Sequence, residues 1–253
     1  MTTAAELPDD RANDPMPADD RGPDEVGHTH ADVSGGWLRA ATFGAMDGLV
    51  TNVSLVAGIG AAGVRPEIVV TAGLAGLVAG AFSMALGEYA SVSTQNEAVD
   101  KEVVTERREI RDNPEAELSE LSGMFEKMGM STITAAQAAR EVHRDDEVAV
   151  RVHISHELGL DPEEHPSPMV AAVSSFVMFA MGAVVPLIPY LLGFDSLMAG
   201  LAVGGLGLLV AGGVASMFTA TTWWWGSIRQ LLFGALAAGA TYAVGSLLGV
   251  SLS

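Results

Sequence analysis

Acidic side chains in the middle of the chain have the spacing of metal ligands. Glu102, Glu106 and Glu109 lie at positions i, i+4 and i+7, so a helix would present them on one face. Glu117 and Glu120 lie at i and i+3 and share a face of the next predicted helix. Carboxylates on neighbouring helices form di-metal sites in helical bundles, and such oxygen ligands suit Mn(II) and Fe(II). A solvated acidic helix face accounts for the same spacing, and the residues alone leave both interpretations open.

A third predicted helix adds one acid and two imidazoles to this group. Glu157 closes that helix, and His153 and His156 precede it. Imidazole ligands shift the metal preference toward later transition metals. An imidazole stops binding metal when it is protonated, at about pH 6.5, whereas free glutamates are protonated at about pH 4.3. Repulsion between clustered carboxylates would raise the pKa values of the glutamates. The candidate metal ligands are Glu102, Glu106, Glu109, Glu117, Glu120, His153 and Glu157.

Two further acids lie within strongly apolar sequence. Asp47 lies nine residues into the first apolar segment, and Glu88 lies near the end of the second. An ionisable group inside a bilayer costs about 3 kcal/mol or more, so it commonly marks a pathway. Met84, one helical turn before Glu88, adds a thioether that suits transition metals. The alternatives are a neutral Asp47 hydrogen-bonded between helices and a Glu88 that reaches the membrane surface.

The chain contains five long apolar segments. They cover residues 38–63, 67–91, 169–193, 197–221 and 227–250. A helix of about 20 apolar residues crosses the hydrocarbon core of a bilayer, and the chain is 49% hydrophobic and only 17% charged. We therefore predict an all-α membrane protein with five transmembrane helices and a cytosolic three-helix acidic insert between the second and third spans.

The charged residues define the other regions of the chain. Residues 1–34 carry nine acids and two arginines, which predicts a disordered acidic tail. Residues 35–92 hold the first two spans, residues 93–167 form the insert with eighteen acids and eight bases, and residues 168–253 hold the last three spans. Within the insert we predict three helices: a continuation of the second span that ends before Pro114, a helix at 115–128 and a helix at 134–158.

The positions of lysine and arginine predict the orientation in the membrane. With the N-terminus inside, twelve of the 13 basic residues lie on the cytosolic side and only Arg65 lies on the other, as the positive-inside rule requires. The acidic N-terminal sequence does not resemble a cleaved signal peptide, so we expect the first span to be an uncleaved anchor. The expected location is a prokaryotic cell membrane, or an organelle membrane such as that of the vacuole in a eukaryote.

Composition excludes several classes of protein. A net charge of −18 disfavours nucleic-acid binding, and the absence of cysteine excludes disulfides and thiolate metal sites. No phosphate-binding GxxxxGK[ST] loop is present. Pairs of glycine at four-residue spacing predict closely packed membrane helices or a dimer, namely Gly44/Gly48, Gly76/Gly80, Gly200/Gly204 and Gly245/Gly249.

Two segments resemble the first two spans of the vacuolar iron transporter family. They are DGLVTNVSLVAGIGAAG (47–63) and GLAGLVAGAFSMALGEYASVSTQNE (73–97), and the resemblance extends over about 35–250. It implies proton-driven export of Fe(II), often also of Mn(II), from the cytosol by a homodimer whose pathway lies between the first and second spans. Asp47 and Met84 then fall on the translocation ligands. The metal-collecting glutamates of the family fall on Glu106, Glu109, Glu117, Glu120 and Glu157.

The chain departs from the family pattern at three places. Family members carry a pair of methionines where this chain has His153 and Ile154, so the ligand set of the insert differs from the family pattern. Some members have acids at the cytosolic mouth of the first span, where this chain has residues 36–40, GWLRA. Met46 stands where asparagine is common.

The sequence thus predicts a secondary transporter rather than an enzyme. The insert would collect cytosolic Fe(II) or Mn(II) and pass it to a pathway containing Asp47, Met84 and Glu88, for metal homeostasis and detoxification. The expected partners are divalent metal ions, protons, the lipid bilayer and a second copy of the chain, with no permanently bound cofactor. The alternatives are a transporter of Ni(II), Co(II) or Zn(II), and a membrane-anchored metal-binding or sensing protein. A di-iron enzyme is disfavoured because the Glu-x-x-His pairs of such sites are missing.

Overall fold

The computed structural model describes residues 37–159, 161–162, 165–219 and 221–252. These residues form helices and short connections, without a strand among them. The helices are α1 (Trp37–Ala61), α2 (Pro66–Asp112), α3 (Pro114–Lys127), α4 (Thr132–Val142), α5 (Asp146–Leu158), α6 (Pro168–Val184), α7 (Ile188–Leu191), α8 (Leu197–Ser216) and α9 (Trp223–Leu252), and a 3₁₀ turn at Val185–Leu187 joins α6 to α7. The predicted acidic tail, residues 1–34, lies outside the described residues.

Five helical segments are long and apolar enough to cross a membrane. They are α1, α2, Pro168–Leu191, α8 and Trp223–Gly249. For the described part of the chain, the prediction of an all-α fold with five helices able to span a membrane is confirmed, and the protein is an integral membrane protein.

The second span and the first helix of the insert form one continuous helix. Helix α2 has 47 residues and is therefore about 70 Å long, roughly twice the thickness of the hydrocarbon core of a bilayer. Its first half carries Met84 and Glu88, and its second half carries Glu102, Glu106 and Glu109. A rigid element thus joins the apolar bundle to the charged insert.

The predicted third helix of the insert is wrong, because two helices occupy residues 134–158. Helix α4 ends at Val142 and α5 begins at Asp146. The side chain of Asp145 accepts hydrogen bonds from the backbone N–H groups of Glu147 and Val148, which caps a new helix. The insert therefore contains the end of α2 and three further helices.

Two apolar clusters hold the insert together. Ile110 of α2 packs against Val150 and Ile154 of α5, while α3 and α4 pack through a second cluster that includes Leu121. Arg107 of α2 also donates two hydrogen bonds to the carboxylate of Glu147, at 3.1 and 2.7 Å. These contacts fix α5 against the charged half of α2.

Glycines allow close contact between the membrane helices. A β-carbon at Gly48 of α1 would collide with the carbonyl oxygen of Phe179 in α6, and one at Gly245 of α9 would collide with the carbonyl oxygen of Gly58 in α1. Glycine permits such approach of backbones. Of the two predicted roles, close helix packing or dimerisation, Gly48 and Gly245 therefore serve packing within the chain.

Candidate metal-binding site

Three helices of the insert bring carboxylates to one buried imidazole. His153 of α5 is fully buried, and its Nδ1 lies 3.1 Å from Oε1 of Glu106 on α2. The same nitrogen lies 3.7 Å from Oε2 of Glu117 on α3 and 3.7 Å from Oε1 of Glu157 on α5. Ligand atoms of Glu106, His153 and Glu157 all lie within 4.8 Å of one another. The spacing is short enough for one ion to contact all three side chains.

Local sequence explains how these side chains meet. Pro114 begins α3 directly after Asn113, and proline suits the first turn of a helix, where its missing N–H is not needed. The sharp reversal brings Glu117 back toward Glu106. On α5, Glu157 follows His153 by one helical turn, so both side chains point to the same side.

Two buried atoms in this cluster lack a hydrogen-bond partner. They are Oε1 of Glu106 and Nδ1 of His153, whose separation of 3.1 Å is not accompanied by hydrogen-bond geometry. A buried polar atom without a partner costs about 1–3 kcal/mol, and such an atom often marks a site for an ion or water. A cation between the two atoms would satisfy both lone pairs, so the donor set fits a divalent metal ion.

The electrostatics of the cluster also favour a cation. Burial, followed by repulsion from neighbouring carboxylates, raises the pKa of Glu106 from its usual 4.5 to about 7. Burial likewise raises the pKa values of Glu117 and Glu157, and repulsion from Glu120 adds to both shifts. Burial lowers the pKa of His153 despite the attraction of Glu120. Burial therefore moves the two groups in opposite directions, raising the pKa of Glu106 and lowering that of His153.

The remaining predicted ligands of the insert surround this cluster. Glu120 and Glu102 are exposed, yet both raise the pKa of Glu157. Glu109 accepts a hydrogen bond of 2.9 Å from Asn113 and raises the pKa of Glu106. The structure thus brings four of the seven predicted ligands into a tight group and places Glu102, Glu109 and Glu120 near it.

His156 is directed to a different environment. Its Nδ1 lies 2.8 Å from the carbonyl oxygen of Val152, and its ring packs edge-on against Phe125 with the ring centres 5.8 Å apart. It belongs to the packing between α3 and α5.

The predicted membrane residues occupy half-buried or buried positions. Asp47 is half-buried, and its Oδ1 accepts a hydrogen bond of 3.2 Å from Thr51. Met84 is half-buried and packs against the cluster of Ala81 and Phe179. Among the described residues, Asp47 forms no ion pair with a basic side chain.

Glu88 has a partner that the sequence did not indicate. It is 8% exposed, and one of its oxygens accepts a hydrogen bond of 2.9 Å from Arg39 in the first turns of α1. The two residues are 49 positions apart and lie on different helices, so no spacing rule pairs them. Glu88 is therefore a buried, paired acid rather than a surface acid.

His143 is the other residue that sequence reasoning missed. Its Nε2 lies 3.1 Å from Nε2 of His153, and the break between α4 and α5 brings it there. In the continuous helix predicted over 134–158, the two residues would lie about 15 Å apart along one axis. Asp145, a residue type favoured at helix N-caps, lies directly before α5 and was the available signal for that break.

Comparison with known proteins agrees with this architecture. Residues 38–246 match the sequence profile of the VIT family. The vacuolar iron transporter of Acanthamoeba castellanii is 34% identical over 228 residues, which cover 87% of this chain and 83% of that protein. The vacuolar iron transporter 1 of Tulipa gesneriana is 28% identical over 210 residues (82% and 85%), and that of Arabidopsis thaliana is 27% identical over 224 residues (86% and 88%). The matched region begins one residue into the first membrane helix and ends within the fifth, and the chain belongs to the VIT family.

Proposed function

We propose that this protein exports Fe(II), and also Mn(II), from the cytosol in exchange for protons. The relatives named above are iron transporters by name, and five membrane helices are the framework of a transporter. The observation that carries the proposal is the cluster formed by buried Glu106 and His153 with exposed Glu157, whose ligand atoms lie within 4.8 Å of one another. Glu106 of this cluster lies on the same helix, α2, as the membrane residue Met84.

The insert collects the cation, and the membrane helices move it. The positive-inside rule supports a cytosolic insert, and a high density of carboxylates raises the local concentration of cations. From Glu106 to Met84 the path along α2 is about 33 Å. Asp47 then exchanges a bound cation for a proton, since a carboxylate without a basic partner can be neutralised by either.

A second copy of the chain completes the pathway in this proposal. Helix α2 exposes a row of large apolar side chains at four-residue spacing, which are Leu74, Val78, Phe82 and Leu86. On α1, Thr51 is exposed and Asp47 is half-buried. The family resemblance implies a homodimer with its pathway between the first two spans, and these two faces are available for that contact.

A second candidate function has one specific observation in its favour. His153 stands where relatives are expected to carry methionine, and burial keeps it neutral by lowering its pKa. A neutral imidazole suits Co(II), Ni(II) and Zn(II) better than Mn(II). Transport of one of these cations is therefore the alternative.

Proteoliposomes distinguish the candidates. The purified protein is reconstituted with an acidic lumen and a more alkaline exterior, and uptake of Fe(II), Mn(II), Co(II), Ni(II) and Zn(II) is measured with and without a protonophore. We expect protonophore-sensitive uptake of Fe(II) and Mn(II). Uptake restricted to the other three cations favours the alternative, and no uptake of any of them indicates a metal-binding protein that does not transport.

Metal binding by the cluster is expected to weaken as the pH falls from 8 to 6. Glu106, with a pKa of about 7, is largely ionised above that value and protonated below it. A cation must then displace the proton, which lowers the affinity by up to about tenfold per pH unit for each proton displaced. Titration calorimetry with Mn(II) on the full chain measures this slope.

Two variants identify the group responsible for the pH dependence. In His153→Met the slope near pH 7 should persist, because burial already lowers the pKa of that imidazole. In Glu106→Gln the slope should largely disappear, together with part of the affinity. A slope that vanishes in His153→Met instead would assign the titration to the imidazole.

A further inference from the structure

Two of the histidines in the insert, His143 and His153, face each other. Nε2 of His143 and Nε2 of His153 lie 3.1 Å apart, and the rings meet edge-on with an interplanar angle of 78°. A hydrogen bond between two ring nitrogens needs one hydrogen, carried by one of the two. The tautomer of His153 therefore depends on whether Nε2 of His143 accepts or donates this hydrogen bond.

The other nitrogen of His153 faces the carboxylates. Nδ1 lies 3.1 Å from Glu106 and 3.7 Å from both Glu117 and Glu157, and it is buried without a hydrogen-bond partner. A ring nitrogen can bind a cation only through its free lone pair, and a neutral imidazole carries one hydrogen. If Nδ1 is to bind the cation, that hydrogen must lie on Nε2, where it points at His143.

We propose that His143 is a positioning residue for the metal site. It accepts a hydrogen bond from the Nε2–H group of His153 and so keeps Nδ1 of His153 available to a cation held with Glu106 and Glu157. In the opposite tautomer a hydrogen would occupy Nδ1 in place of its lone pair and close the site to a cation. Metal-bound histidines commonly donate their second N–H in this way. The inference rests on the proposed collection of metal by the insert and assigns a role to a residue outside the ligand set.

The break between α4 and α5 is what brings His143 next to His153. Asp145 caps α5, and His143 is the C-cap residue of α4. The chain reverses direction between them, which turns two residues ten positions apart into neighbours.

A double-mutant cycle on the full chain in detergent tests the role of His143. Co(II) binding is measured by calorimetry for the parent, His143→Leu, His153→Met and the double variant. We expect His143→Leu to weaken Co(II) binding by about 10- to 100-fold, as changes in the hydrogen-bond partners of ligands do. In the His153→Met background the same change should leave the affinity unaltered, because the imidazole it positions is gone. A loss of equal size in both backgrounds would overturn the proposal.

A spectroscopic measurement reports directly on the tautomer of His153 in the unmutated site. Imidazole ¹⁵N spectra of the Cd(II)-loaded protein, with His153 assigned by its loss in His153→Met, should show a protonated Nε2 and a metal-bound Nδ1. Metal on Nε2 would overturn the role of His143 and leave metal collection by the insert standing. No binding of Co(II) or Cd(II) by the parent protein would overturn both proposals.

Discussion

Asp47→Asn is expected to abolish metal transport while the protein still folds. Asparagine has nearly the same shape, and its side-chain oxygen can still accept the hydrogen bond from Thr51 that Asp47 accepts at 3.2 Å. It removes both the negative charge that binds the cation and the site that carries the proton. We expect uptake into proteoliposomes to fall by about 100-fold or more, since a charged interaction worth about 3 kcal/mol corresponds to two factors of ten.

Asp195→Asn provides the matched control for this change. Asp195 is exposed in the connection between α7 and α8, so the same loss of charge should leave uptake near the parent rate. Both variants should elute from size-exclusion chromatography as the parent does. Parent-like uptake by Asp47→Asn would remove Asp47 from the pathway.

Replacement of the three acids closest to His153 by glutamine is expected to remove tight metal binding. The triple variant combines Glu106→Gln, Glu117→Gln and Glu157→Gln. It keeps the size of each side chain but leaves no carboxylate within 3.7 Å of Nδ1 of His153. Changes outside the ligand set alone cost about 10- to 100-fold in affinity, so the loss of charged ligands should exceed 100-fold. Transport at saturating metal should decline much less, because the insert collects ions and the membrane helices move them.

Three exposed acids of the insert supply a control with the same change in net charge. Glu115, Glu126 and Glu141 are exposed, and their replacement by glutamine removes only charge that salt screens. Titration calorimetry with Mn(II) should show near-parent affinity for this control. Similar affinity in both triple variants would mean that the acids form only a solvated helix face.

The membrane part of the fold was predictable from sequence because the bilayer imposes a simple length rule. The predicted first span, 38–63, differs by two residues or fewer from α1 at either end. The continuation of the second span into the insert was also predictable, since Pro114 marks where that helix must stop. Apolar length and proline are local signals, and neither depends on what the chain contacts elsewhere.

The candidate site was predictable in its residue types but not in its arrangement. Helical spacing placed Glu102, Glu106 and Glu109 on one stripe of a helix. Of these three, only Glu106 contacts His153, because α5 packs against α2 at the position of Glu106. The contact between His143 and His153 depends on a helix break that contains neither glycine nor proline. The ion pair of Arg39 with Glu88 joins two helices, so no periodicity within one segment reveals it.

The order of titration in the site depends on burial, which sequence does not give. Reference values put histidine about two units above glutamate. In the folded insert, burial moves the two groups in opposite directions, and the pKa of Glu106 rises to about 7. The clustering of acids was visible in the sequence, whereas the burial of Glu106 and His153 follows from the packing of α2, α3 and α5.

Proton movement driven by a metal gradient tests the proposed exchange most directly. Proteoliposomes are loaded with a pH-sensitive dye at equal internal and external pH, and the membrane potential is clamped at zero with potassium and valinomycin. On addition of external Mn(II) or Fe(II), the proposed function predicts that the lumen becomes alkaline as metal enters, and that Asp47→Asn vesicles show neither change. Metal entry with a constant lumenal pH would contradict the exchange of metal for protons.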